Sequence, residues 1–287
     1  MQIAHSDSTA WSPVRTVRGG VIRFKYLLDG QEGAPGNFSL VIADTDVSFK
    51  SPRHRHNFDQ IRVSLDGVTN YGPRENIEVG DVVYFPEGTH YGPQDQELAR
   101  QSSLAMVIQF GGASGNGYMS LRQLQEGQER LQQKGRFEGG VFRREPDPAN
   151  TRKNQDAYEA IWEFQNGRPI EYPKPRVSDP IHFHARNLAW TGIQGEPGTS
   201  VRDLGRFTDR NIHMYTLKAG AGARHVFVPG AQGRLLFVLE GAGQLGHECF
   251  ARHSAAHLSA GEQAALTAEQ ETELLVLELP RFEESAS

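Results

Sequence analysis

SPRHRHNFDQIRVSLDG, residues 51–67, is the stretch that decides the fold. Its second half, the β-branched and apolar run IRVSL closed by a DG turn, reads as a strand entering a tight turn. His54 and His56 stand two apart. On an extended chain alternate side chains share a face, so both imidazoles point the same way. If that register continues, Gln60, Arg62 and Ser64 join them. Imidazoles presented in this way suit Zn, Fe, Ni, Mn or Cu. Downstream, GDVVYFPEGTHYGPQ (80–94) supplies a third imidazole, His90, just after a Pro and Gly turn.

Similar strand-like runs extend outward from this segment. FSLVIAD (38–44), DVVYF (81–85) and LAMVIQF (104–110) lie in the first half; IHMYTL (212–217), RLLFVLEG (234–241) and ELLVLELP (273–280) lie in the second. Gly, Pro, Asn and Asp separate them, the signature of an all-β chain. The middle differs. Residues 119–134, MSLRQLQEGQERLQQK, and 154–165, NQDAYEAIWEFQ, predict two helices, the first with a solvated face. EPDP (145–148) and YPKPR (172–176) read as helix stops and extended connectors. The halves look duplicated: VSLDG (63–67) resembles FVLEG (237–241), and VGDVV (79–83) resembles AGEQA (260–264).

At this point the chain resembles the cupin superfamily. Cupins carry a first motif G-x5-H-x-H-x3,4-E-x6-G and a second motif G-x5-P-x-G-x2-H-x3-N. His54, His56, position 60 and Gly67 fit the first spacing; Gly80, Pro86 and Gly88 fit the opening of the second. The departures are Ser48 for the leading Gly, Gln60 for Glu, one residue (Thr89) instead of two before His90, and Gln94 for the final Asn. The resemblance implies an all-β bicupin: two double-stranded β-helix (jelly-roll) barrels joined by a helical linker. The expected boundaries are 15–115 for the N-terminal barrel, 116–177 for the helical and Pro-rich linker, and 178–282 for a degenerate C-terminal barrel. It also implies a metal set of His54, His56, Gln60 and His90 holding a divalent transition metal, Fe(II) favoured over Mn, Ni or Zn. Carried across the repeat, those positions become Val228, Gly230, Arg234 and Glu271, so no metal set is expected in the second barrel; His225 lies nearby without a partner.

A neutral Gln60 leaves the ion its full charge and cannot act as a general base. Three-His iron sites in cupins resemble those of dioxygenases acting on chelating substrates. The implied function is therefore a metal-dependent dioxygenase on a small anionic aromatic acid, enol or diketone. The alternatives are a non-redox isomerase, lyase or hydrolase on a small acid or sugar acid, and a ligand-binding or regulatory cupin. Arg62, with Tyr91 beside the second motif, is the candidate for holding the anion; otherwise Arg62 pairs with Asp59 or Asp66. Of Tyr84, Phe85 and Tyr91, two are expected in the core. His182 and His184, and His247, His253 and His257 near Cys249, read as exposed strand and loop positions.

The 287 residues suggest two domains. A net charge of −5 gives no sign of nucleic-acid or anionic-membrane binding. The single cysteine excludes an internal disulfide framework and fits a reducing compartment. No apolar run is long enough to span a membrane, and MQIAHSDSTAW does not resemble a secretory signal. The expectation is a cytoplasmic protein with a small-molecule partner, pairing as a homodimer as cupins commonly do.

Overall fold

The computed structural model describes residues 1–14, 18–146, 152–207 and 210–282. The boundary expected at residue 15 and the last two residues of EPDP lie outside these. The chain is mostly β and divides into two compact units. One comprises residues 11–24 and 29–182; the other comprises 1–10, 25–28 and 183–287.

In the first unit four strands form the centre of a sheet: β1 (Phe38–Thr45), β2 (Asp59–Gly67), β3 (Val82–Phe85) and β4 (Ser103–Phe110). Their order is β3-β2-β4-β1, antiparallel throughout. The runs were legible because both faces of β1 and β3 are buried, which demands near-continuous apolar sequence. Register fixes what faces what. Arg62 on β2 stands opposite Val107 on β4, and Val107 opposite Val41 on β1; Gln60 stands opposite Gln109. Beyond β2 the chain turns at Gly67 with φ +67°, where a Cβ would fall 2.2 Å from the Ser102 carbonyl oxygen, so only glycine fits.

Residues 116–177 group with the first unit. Their helices are α1 (Leu121–Leu131) and α2 (Ala157–Asn166). Ser120 and Gln123 cap α1 reciprocally through side chain and backbone, and the Asp156 carboxylate accepts from the first turn of α2. The expected solvated face of α1 exists, made of its Gln, Glu and Arg residues. The helical period gathers Leu124 and Leu131 on the other side, against a core containing Phe58, Tyr118, Phe142, Ile161 and Trp162. Gly127 lets the two helices approach: a Cβ there would lie 2.8 Å from the Ile161 side chain. Burying each large apolar side chain contributes about 1.5–3 kcal/mol, which is why this segment packs rather than dangles.

The second unit has β5 (Thr199–Phe207), β6 (Ile212–Ala219), β7 (Arg234–Glu240) and β8 (Thr272–Glu278). A seven-stranded sheet runs Gln2–Ala4, Ala255–Leu258, β7, β8, β6, β5, Thr191–Gly192. A four-stranded sheet of Arg224–Phe227, Ala264–Ala268, Gly243–Leu245 and Glu248–Phe250 faces the same core. Leu217, Leu236 and Val276 from one sheet meet Phe227, Leu245 and Leu266 from the other, and the interior is filled. Of the carried-over positions, Val228 is exposed, Arg234 pairs with Glu278 at 3.3 Å and Glu271 with Lys218 at 2.9 Å. His225 pairs with Glu196 at 2.6 Å. Cys249 is exposed. No helix among the described residues is long and apolar enough to cross a membrane.

Candidate ligand pocket

The first unit contains a cavity of about 220 Å³. The sheet forms one wall; Leu121, Leu124 and Gln128 of α1 and Tyr158 and Ile161 of α2 form another. Of the residues singled out by sequence, His54, His56, Gln60, Arg62 and Tyr91 all line it, and His90 does not. Tyr84 and Phe85 are core, as expected for two of the three aromatics.

His54 and Tyr91 are joined backbone to backbone, each N–H reaching the other's carbonyl at 3.0 Å. This pairing aims both side chains inward. His54 Nδ1 donates to the Pro52 carbonyl (2.7 Å), which leaves Nε2 to accept from the Tyr91 hydroxyl (3.0 Å). That hydroxyl accepts in turn from Arg62 Nη2 at 3.1 Å. The Gln60 amide oxygen faces Arg62 at 2.8 Å (Nε) and 3.0 Å (Nη2), the orientation that satisfies both groups. Its nitrogen turns to the Gln109 amide, which contacts the Tyr118 hydroxyl at 3.0 Å. His56 makes ring contacts with Phe58, His54 and Tyr158 and has no hydrogen bond to protein among the described residues.

Electrostatics of the cavity are one-sided. Among the described residues two arginines line it, and no Asp or Glu does. Arg18 is neutralised by Asp156 at 3.1 Å. Arg62 has no carboxylate partner among the described residues. Neither Asp59 nor Asp66 takes that place: Asp59, fully buried, accepts from the Tyr84 hydroxyl (2.8 Å) and the Glu87 amide (2.7 Å) and pairs with Arg176 (3.2 Å). Burial lifts the Asp59 carboxyl to about 6 despite Arg176. Burial, aided by the nearby arginine charges, holds His54 and His56 well below the usual imidazole range, so both are neutral. Burial also lowers Arg62 and raises Tyr91.

Of the expected metal set, His54, His56 and Gln60 line the cavity and His90 does not. His90 lies outside the cavity, half-exposed, and its imidazole is lowered first by partial burial and then by Arg53 and Arg55. The physical reason is the one-residue-short turn. Skipping two residues past Gly88, as the motif does, arrives at position 91, the residue whose backbone bridges to His54. Tyr91 stands where the third imidazole belongs, its hydroxyl occupying His54 Nε2. The Gln60 oxygen is engaged by a guanidinium. Among the described residues no group of three His, Cys, Asp or Glu donor atoms within 4.8 Å of one another includes His54, His56 or His90. Two imidazoles, with Nε2 of His54 already engaged by Tyr91, are too few donors to hold a dication beside Arg62.

Sequence reasoning did not reach Arg18, Gln109, Tyr118 or the helical wall. The S-x-x-Q cap at Ser120 was a readable sign of where α1 begins; nothing in the pattern showed that the helix covers a cavity.

No protein-family model matches the chain, and no curated protein is similar to it in sequence. Solved structures do match. A candidate dioxygenase from Nostoc punctiforme aligns with TM-score 0.62 at 11% identity, over 99% of this chain and 84% of that one. Oxalate decarboxylase from Bacillus subtilis, studied for its Mn(II) centers, aligns with TM-score 0.56 at 10% identity, over 99% and 78%. A candidate glyoxylate-induced protein from Pseudomonas aeruginosa aligns with TM-score 0.59 at 12% identity, over 100% and 95%. These are cupin-fold proteins, and the chain shares their fold.

Proposed function

We propose that the chain is a bicupin whose first barrel receives a small organic anion, with Arg62 as the group that holds it. The observation that carries this reading is a guanidinium set in the wall of a cavity with no carboxylate among the described residues to balance it. A buried charge calls for a partner, and a ligand carboxylate or enolate supplies one through paired hydrogen bonds. Tyr91 and Gln60 fix the guanidinium from behind, and the unpaired His56 ring offers a further hydrogen bond to the bound molecule. The chemistry available to these residues is hydrogen bonding and proton movement, in line with a non-redox cupin enzyme or a ligand-binding cupin.

The test is titration of the protein with organic carboxylates and with their uncharged methyl esters. Arg62→Leu should weaken carboxylate binding ten- to a hundredfold, the loss of a charge-assisted contact of about 1.5–3 kcal/mol. Equal affinity for acid and ester in both proteins sinks the reading.

A metal-dependent dioxygenase is the second reading. It is favoured by the name of the Nostoc neighbour and by the His54 and His56 pair on the cavity wall. Elemental analysis of protein purified without an affinity tag separates the two: stoichiometric iron with oxygen-dependent turnover supports the second, and protein free of transition metal that still binds carboxylates supports the first.

A further inference from the structure

Resting on the anion reading, we infer that the ligand is a monocarboxylate with a long apolar body, and not a small dianion or a sugar acid. The strand register carries the argument. From Arg62 the row across the sheet runs to Val107 and then Val41; the next row runs from Ser64 to Ala105 and Ala43. Val41, Ala43, Ala105 and Val107 all line the cavity. Neighbouring strands lie about 4.8 Å apart, so this floor of short apolar side chains extends roughly 10 Å from the guanidinium. Leu121, Leu124 and Ile161 line the cavity from the helices. A ligand anchored at Arg62 therefore lays its body between two hydrocarbon surfaces.

The polar side chains of the cavity do not offset this. Gln94 donates to the Asn70 carbonyl (3.0 Å), Gln96 accepts from the Asn70 amide (3.1 Å), and the Asn70 side chain donates to the Gly72 carbonyl (2.7 Å). They are bound into the backbone. The second cation, Arg18, is already paired with Asp156. One unbalanced positive charge suits one carboxylate. The second charge of a dianion, or the several hydroxyls of a sugar acid, would lose water along the Val and Ala floor, where His56 and the Thr69 hydroxyl are too few partners to replace it.

The experiment is calorimetric titration with octanoate, acetate and oxalate at fixed ionic strength. The proteins are the wild type, Arg62→Leu, Leu124→Gln and the near-isosteric Val107→Thr. Octanoate should bind the wild type at least tenfold tighter than acetate or oxalate. Leu124→Gln and Val107→Thr should each weaken octanoate severalfold and leave acetate unchanged, so either variant suffices if the other does not fold. Acetate or oxalate binding as tightly as octanoate, with binding lost in Arg62→Leu, overturns the apolar body and leaves the anion reading standing. Octanoate affinity untouched by Arg62→Leu overturns the anion reading. If none of the three binds the wild type, both fall.

Discussion

The hydroxyl of Tyr91 stands 3.0 Å from Nε2 of His54, on the cavity wall that also carries His56. The pairing is set by the backbone bridge between the two residues and by the shortened turn before them. It converts a constellation with metal-binding spacing into a hydrogen-bonded chain from His54 through Tyr91 to Arg62.

Replacing that hydroxyl by an imidazole should restore what the turn displaced. Tyr91→His puts a third nitrogen donor beside His54 and His56, a set that suits divalent transition metals. Equilibrium dialysis against Zn(II) or Ni(II) should show uptake in the variant well above the wild type. Equal uptake by both proteins would mean that position 91 does not face the other two imidazoles.

His90 should prove dispensable. It is half-exposed and does not line the cavity that Tyr91 lines. His90→Ala should change unfolding free energy by no more than about 0.5 kcal/mol, the range for surface substitutions, and leave carboxylate affinity as it was. Loss of ligand binding in this variant would contradict the placement of the side chain.

Asp59 gives the fold a pH dependence of defined sign. Its carboxyl is raised from 3.8 to about 6, chiefly by burial, so between those values the folded protein binds more protons than the unfolded chain. The contribution is fully present below pH 3.8 and is lost as pH rises through about 6. Asp59→Asn removes this titration. The variant's deficit relative to the wild type should be larger at pH 4 than at pH 7 by about 2–3 kcal/mol, measured by urea unfolding at the two values. A deficit that grows toward neutral pH would show the Arg176 pair outweighing burial.

Glu278 in the second unit acts in the opposite direction. His213 first, then Arg234, draw its carboxyl from 4.5 down to about 2. Its stabilisation is present above pH 4.5 and is lost as pH falls toward 2. The advantage of wild type over Glu278→Gln in thermal unfolding should therefore shrink steadily across that acid range. An advantage independent of pH would leave the pairing without energetic weight.

The fold was legible where side-chain period and burial coincide. Runs such as FSLVIAD and LAMVIQF are buried on both faces and had to be written in apolar residues, so β1 and β4 could be read directly. The shared inward face of His54, His56, Gln60 and Arg62 followed from alternation alone. His90 was assigned to the site because the motif names a histidine, while the shortened spacing had already moved the inward position to Tyr91. The role of α1 was hidden for another reason. A Leu-and-Gln helix looks the same whether its apolar stripe covers a core or a cavity, and only tertiary packing distinguishes the two. Arg18, far off in sequence, gives no local sign of where it lands.

A core of leucine, valine and alanine answers to volume and not to chemistry. Interior positions of the second unit such as Leu236, Leu274 and Val276 tolerate exchange among hydrocarbons provided the total is kept. The row through Arg62 has no such freedom, because its charge, its length and the partners that hold it are all specified. Of the two cores, the one packed by hydrocarbon alone therefore leaves the weaker trace in the sequence, little more than FVLEG and a rhythm of strands.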